Sequence, residues 1–197
     1  MTTNAIPLGI ILASVREGRR GEALARWFHE IAAARADVKP QLLDLREWAL
    51  PPYARRETPI VAEKAYPPGS LEARWRDTIA GLDAFVVVTP EYSHSIPGQL
   101  KNALDTVYAP WNHKPMTSVS YGGFAAGARA AEHLRLVAVE LRMAPVREEV
   151  NVRLVGLAAD ERGYPTDPLY ARKAKAALDD LVWWARVLRD GRANHPR

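Results

Sequence analysis

The sequence predicts an α/β fold: a three-layer, doubly wound, five-stranded parallel sheet with helices on both faces. Three observations predict it. Short apolar runs recur along the chain, as strands covered on both faces require. Between them lie longer stretches with apolar residues three and four apart, the mark of amphipathic helices. The two patterns alternate as β-α-β-α-β-α-β-α-β-α, an order that right-handed crossovers turn into a parallel sheet.

Pro7 to Ala13 is nearly all apolar and too short for a buried helix, so it reads as the first strand. Gly21 to Ala34 is a helix with Leu24, Trp27, Phe28 and Ile31 on one face. Val38 to Leu45 is the second strand. Arg46 to Ser70 is then broken by Pro51, Pro52, Pro59, Pro67 and Pro68. It reads as a long, mostly irregular connection, and loops of that length in compact domains are usually functional or interfacial. Leu71 to Gly81 is a short helix with Gly81 as its stop. Ala84 to Thr89 is the clearest strand. Pro97 to Tyr108 is a helix that opens on a proline. Lys114 to Tyr121 is the fourth strand, Gly127 to Arg142 a helix, and Pro145 to Val152 the fifth strand. Pro168 to Arg189 is the last helix, and Gly191 to Arg197 reads as a frayed tail. At 197 residues the chain is one domain, residues 1–190, followed by a flexible tail, 191–197.

Composition narrows the function. The chain has no cysteine, so a disulfide scaffold, a thiolate zinc site, an iron–sulfur cluster and a Cys nucleophile are excluded. Charged residues at 25% and apolar ones at 48% exclude a wholly disordered chain. The net charge of +4 comes from scattered arginines and lysines, not from the single stripe expected of a nucleic-acid binder. A small anionic ligand suits such a chain. No run approaches the length of a membrane span, and the N-terminus lacks the pattern of a signal peptide, so the expected compartment is the cytoplasm.

Five strands in one domain of this kind suggest the flavodoxin-like order 2-1-3-4-5. Ligands of open parallel sheets sit at the carboxyl ends of the strands, where the strand order reverses. The loops after strands one, three and four are therefore the candidates. The first runs Ser14-Val15-Arg16-Glu17-Gly18-Arg19-Arg20-Gly21 into a helix N-terminus. Free N–H groups and the helix dipole favour an anion there. Ser14 can donate a hydroxyl, the arginines can neutralise charge, and the glycines admit a close backbone approach. The bland alternative is a solvated turn with a serine-capped helix. Neither the dinucleotide fingerprint nor the P-loop is present.

The second loop, Thr89-Pro90-Glu91-Tyr92-Ser93-His94-Ser95-Ile96-Pro97-Gly98, lies between stiffening prolines and offers peptide groups, hydroxyls and an aromatic to a planar heterocycle. His94 is either a proton donor or a surface histidine; Glu91 is either a general base or a structural ion pair or helix cap. The third loop, Ser120-Tyr121-Gly122-Gly123-Phe124-Ala125-Ala126-Gly127, exposes peptide N–H groups suited to a developing negative charge, or simply reverses the chain. Together the loops suit a phosphorylated flat cofactor. No residue is assigned as a catalytic acid or base, and no metal site is expected.

These residues resemble the NADPH-dependent FMN reductase family, flavodoxin-like enzymes that include quinone, azo-dye and chromate reductases. Ser14-x-Arg16 with Gly21 resembles the family's phosphate loop. The run from Thr89 through Asp105 resembles its most diagnostic segment, and Ser120-Tyr121-Gly122-Gly123 with Gly127 and Arg129 resembles its third loop. Ser93 stands where the family commonly has Asn, and Arg19-Arg20 where it often has Ser or Asn. The resemblance implies a non-covalent FMN. Ser14, Arg16, Arg19, Arg20 and Gly21 would hold its phosphate; Pro90, Glu91, Tyr92, Ser93 and His94 would flank the ring; Tyr121, Gly122 and Gly123 would reach its pyrimidine edge. It further implies NADPH or NADH as reductant, a small-molecule acceptor (a quinone, azo dye, metal or free flavin) and a homodimer or homotetramer. Two other readings are a flavodoxin-type electron carrier and a non-catalytic ligand-binding module.

Overall fold

The computed structural model describes residues 5–195. Its elements are β1 (Ile6–Leu12), α1 (Gly21–Ala33), β2 (Val38–Asp44), α2 (Leu45–Trp48), α3 (Pro59–Ala62), α4 (Leu71–Ala80), β3 (Ala84–Pro90), α5 (Gly98–Asp105), β4 (Pro115–Gly122), α6 (Ala128–Glu140), β5 (Ala144–Pro145), β6 (Val150–Arg153) and α7 (Pro168–Asn194). Every strand pairing is parallel. The order is β2-β1-β3-β4-β5, with β6 also beside β4, which is the expected 2-1-3-4-5 arrangement.

Strand alternation divides the core into two halves. Ile6, Leu8, Ile10 and Leu12 of β1 join Ala84, Val86 and Val88 of β3 on the side covered by α1 and α7. Ile11, Phe85 and Val87 face the side covered by α4, α5 and α6. On that second side Trp48, Trp75, Trp111 and Phe85 form a chain of edge-to-face rings with centroids 4.9 to 6.1 Å apart. The buried indole N–H groups are satisfied: Trp75 donates to the Ala103 carbonyl at 2.9 Å and Trp111 to that of Leu104 at 3.2 Å. Gly9 belongs to this packing, because a Cβ there would stand 2.9 Å from Phe85 Cδ1 and from Leu82 Cδ1.

Two expectations need correction, and a third gains detail. The fifth strand, expected as one run from Pro145 to Val152, is β5 and β6 with a break between. The register with β4 shows why. Met116 faces Pro145 and Val119 faces Val150, so residues 146–149 lie opposite Thr117 and Ser118 alone. The extra residues form a bulge, and the Thr117 hydroxyl holds it by donating to the Glu148 carbonyl at 2.6 Å. The long connection is mostly irregular, as expected, with short helical pieces: Asp44 caps α2 by accepting from the Arg46 N–H at 2.9 Å, and α3 and a 3-10 turn at Glu63–Ala65 follow. The last helix runs beyond Arg189 to Asn194, so residues 191–194 belong to the helix. Arg192 fixes that end by donating to the His113 carbonyl at 2.6 Å and pairing with Asp83. Residues 196–197 of the expected tail lie outside the described residues. Among the described residues no helix is long and apolar enough to cross a membrane.

Lys114, just ahead of β4, is buried. Its ammonium donates to the carbonyls of Ile79 and Ala80 at 2.7 and 3.1 Å, closing the C-terminal turn of α4. Burial, reinforced by the Arg192 charge and only partly offset by Asp83, pulls its pKa down to about 7. In the unfolded chain a lysine keeps its proton to about pH 10. Between those values the unfolded state binds more protons, so stability rises with pH, by up to about 1.4 kcal/mol per unit. Urea unfolding at a series of pH values checks this: the wild type gains stability from about pH 7 towards about pH 10, and Lys114→Met lacks that gain.

Candidate functional site

The carboxyl edge of the sheet is built from the ends of β1, β2, β3 and β4. Ser14 follows β1 after Ala13 and is buried. Its hydroxyl is 2.9 Å from the Tyr92 hydroxyl of the loop after β3. Tyr121, from the end of β4, is also buried, and its side chain belongs to the α1 side of the core. Burial pushes the Tyr121 phenol up; the Tyr92 phenol adds to this, and hydrogen bonds with Ser14 and the Gly21 backbone oppose it. Three loops thus bring their hydroxyls to one place, at the first residue of α1.

Gly21 makes that meeting possible. A Cβ at this position would overlap the Tyr121 hydroxyl and stand 3.0 Å from its Cζ. The helix that starts here has Arg20 at its N-cap, and the Arg20 side chain makes no capping hydrogen bond. Beyond Gly21, whose backbone bonds the Tyr121 phenol, the first-turn N–H groups are the anion donors that helix N-termini provide.

The arginines of the first loop divide by role. Arg16 is exposed, with its guanidinium 5.8 Å from the Tyr92 ring centre. Arg20 is exposed at the N-cap. Arg19 is turned inward. Its side chain is 4% exposed, and it donates to Asp44 Oδ1 at 2.7 Å, to Asp44 Oδ2, and to the Ser14 carbonyl at 2.7 Å. Burial pushes the Asp44 carboxyl up, but Arg19 and the Arg46 N–H outweigh it and hold the group below the usual carboxylate range. The remaining N–H of the fork, Nε, is buried without a hydrogen-bond partner.

In the loop after β3, Tyr92 and Ser95 exchange two backbone hydrogen bonds of 2.9 Å. Ser93 and His94 between them have φ of 50° and 67°, the paired left-handed geometry of a type I′ turn. That conformation disfavours residues other than Gly and Asn, and both side chains stand exposed at the tip. Pro90 closes β3 opposite Tyr121. Glu91 points the other way. It accepts from the Arg129 Nε at 2.6 Å and from the Arg129 backbone N–H at 3.2 Å, so it is both an ion pair and the cap of α6. Burial pushes the Glu91 carboxyl up, and Arg129 more than reverses the effect, holding it below the ordinary value.

In the loop after β4, Gly127 has φ +81°, and a Cβ there would stand 2.6 Å from the Tyr121 backbone N. This glycine is required both by its conformation and by the close approach. A Cβ on Gly122 would be 3.1 Å from the Gly127 N, whereas Gly123 faces open space.

The structure therefore gathers Ser14, Gly21, Tyr92 and Tyr121, with Arg16 beside them. Arg19 is committed to Asp44, Glu91 to Arg129, and the Tyr121 phenol lies below the first loop rather than beside the Gly122-Gly123 peptides. Residues that sequence reasoning missed are those that hold the loops. Asp44 is one. Arg46 is another, donating to the Val15 carbonyl at 3.2 Å and to that of Arg16. Asn102 is the third: it accepts from the Tyr53 N–H at 2.8 Å and donates to the Pro51 carbonyl at 2.9 Å, tying the long connection to α5. A cavity of about 250 Å³ lies between these parts, lined by Val15, Leu45, Arg46, Leu50, Gln99 and Asn102 among others. Strand order 2-1 carried a signal for Asp44, since it sets that acid beside the first loop.

Strand order and ligand edge define a flavodoxin-like α/β protein. Within that class, the family model for NADPH-dependent FMN reductase matches residues 6–155, and the chain belongs to this family of oxidoreductases, which use FMN and NAD(P)H. It is 38% identical over 138 residues to an NAD(P)H-dependent FMN reductase of Schizosaccharomyces pombe, a match covering 69% of this chain and 68% of the relative. It is 34% identical over 138 residues to the quinone reductase of Escherichia coli K12, covering 66% and 68%. FerB, a flavoenzyme NAD(P)H:(acceptor) oxidoreductase of Paracoccus denitrificans, shares the fold with a TM-score of 0.75 over 92% of this chain and 98% of that one, at 23% identity.

The contact between Gly21 and Tyr121 sets a test. Gly21→Ala overpacks the site and lowers stability by about 1–3 kcal/mol. Tyr121→Phe, which removes the overlapped hydroxyl, restores part of that loss in the double variant. Urea unfolding of the single and double variants measures both effects; equal losses with and without the tyrosine hydroxyl would contradict the contact.

Proposed function

We propose that the chain holds FMN with its phosphate at the first loop and reduces a quinone at the expense of NAD(P)H. The observation that carries this is the meeting of the Ser14, Tyr92 and Tyr121 hydroxyls at an α1 N-terminus that only glycine fits. The donor set suits a phosphate: helix N–H groups, a hydroxyl pair and the exposed Arg16. The unpartnered Arg19 Nε–H is one more buried donor in the same loop. Arg16 and Arg20 are then the cations that meet the phosphate, and Arg19 is a positioning residue that keeps the loop closed through Asp44.

FMN bound here would supply the redox chemistry, a two-electron transfer from NAD(P)H to the acceptor. The protein's part is placement and electrostatics. The peptide groups of the Ser93–His94 turn would hold the ring edge, and the Gly122-Gly123 peptides would stabilise negative charge on the pyrimidine side of the reduced ring. Glu91 and Arg129 lock the latter two loops together and leave no free carboxylate at Glu91 for proton transfer. A quinone fits as acceptor because the same site releases the oxidised nicotinamide and takes another flat ring. The quinone gains two electrons and two protons, one proton coming from solvent. The working form proposed is a cytoplasmic homodimer or homotetramer. Leu136 and Val139 on α6, 71% and 64% exposed, supply an apolar face for a second copy.

Absorbance spectroscopy tests the reading. The purified protein, alone or with added FMN, shows bound-flavin absorbance; NADPH alone bleaches it, and a quinone restores it. A protein that never acquires flavin absorbance contradicts the cofactor, and one bleached only through a separate reductase is a carrier. Arg16→Ala weakens FMN binding by about 1–3 kcal/mol through loss of a charge-assisted hydrogen bond. Fluorescence titration of FMN measures this, and unchanged affinity removes Arg16 from the site.

A further inference from the structure

The opposite edge of the sheet carries a second concave feature. A cavity of about 570 Å³ opens between the last turns of α7 and the segment that leads into β4. Its polar lining includes His113, Arg142, Arg192 and His195, its apolar lining includes Ala109 and Leu188, and among the described residues no acidic one lines it. β4 spans Pro115–Gly122, so the cavity lies about 20 Å or more from the flavin loops.

Among the described residues, Asp83 is the one acid in contact with the arginines there. Asp83 pairs with Arg192 and lies 3.8 Å from Arg189. Arg142 is exposed, and among the described residues its guanidinium has no carboxylate partner. The buried Lys114 beside this group is pulled towards neutrality by burial and by the Arg192 charge.

The backbone is also unusual. His113 and Arg142 both adopt left-handed conformations, with φ of 57° and 53°, and the His113 N–H donates to the Arg142 carbonyl at 2.8 Å. Arg142 stands just past α6, where glycine is the ordinary residue. Strained backbone of this kind persists where the surroundings fix it and gathers at ligand sites. Arg192 supplies the fixing, since it donates to the His113 carbonyl at 2.6 Å.

We propose that this cavity binds a phosphorylated small molecule carrying at least two negative charges, at a site separate from the flavin. Planar guanidinium forks match phosphate oxygens. Arg142 offers a whole fork, and Arg192 and the imidazoles of His113 and His195 stand around it. Ala109 and Leu188 give the organic part of the ligand an apolar wall, and the volume is that of a small-molecule site rather than a single-ion site. The proposal stands on this edge of the sheet alone and does not depend on the flavin reading.

Isothermal titration calorimetry with inorganic pyrophosphate, on FMN-saturated protein at constant ionic strength, tests it. Saturable one-site binding is expected. Arg142→Gln and Arg142→Gly weaken it at least tenfold, the glycine variant also relieving the left-handed backbone and so remaining folded. Citrate at equal ionic strength binds at least tenfold more weakly than pyrophosphate. Absence of saturable binding, unchanged affinity in both Arg142 variants, or equal affinity for citrate would each overturn the proposal.

Discussion

The candidate site depends on one buried ion pair, Arg19 with Asp44. The loop after β1 has no secondary structure between Leu12 and Gly21, and a glycine-containing loop of that length has many shapes available to it. Arg19 removes most of them. One guanidinium reaches back to the Ser14 carbonyl and across to both oxygens of Asp44, so the loop is closed on itself and pinned to the neighbouring strand. Such a pair adds little net stability, but losing one partner strands the other charge at a cost of about 3–5 kcal/mol. Its value is specificity of shape. With the loop pinned, the Ser14 hydroxyl meets that of Tyr92 and Arg16 stays exposed.

The other loops are held by the same logic with different chemistry. Glu91 caps α6 and pairs with Arg129, which fixes the loop after β3 to the loop after β4. The left-handed Ser93 and His94 are tolerated because the paired Tyr92–Ser95 hydrogen bonds dictate the turn. Asn102 fastens the proline-rich connection to α5. Charged and amide side chains that look catalytic in a loop sequence are used here as fasteners. The groups left over for chemistry are peptides, hydroxyls and exposed arginines, as befits a protein whose cofactor does the reaction.

Most of the fold was legible because its signals are local. The run Ala84 to Thr89 and the helical spacing of Leu24, Trp27 and Phe28 need no tertiary knowledge. What escaped was set by partners. The split between β5 and β6 is written in the register against Thr117 and Ser118, not in the segment itself. The last helix passes Gly191 because Arg192 finds Asp83. At the site, loop composition revealed the donors but not where the side chains go. The same holds for the arginines, two of which sit adjacent in sequence yet turn to opposite environments. Strand parity did carry one usable hint: Val119 and Tyr121 lie two apart on β4, so they share the face that packs under α1. Strand order carried another, in Asp44 beside the first loop.

The spot where Ser14, Gly21, Tyr92 and Tyr121 meet is the one proposed to receive the flavin phosphate. A crystal structure of the FMN complex measures this directly. The phosphate is expected within hydrogen-bonding distance of the Ser14 hydroxyl and the first-turn N–H groups of α1, with Arg19 still on Asp44. A phosphate bound elsewhere on the sheet edge, or an Arg19 that abandons Asp44 to reach it, would contradict the account.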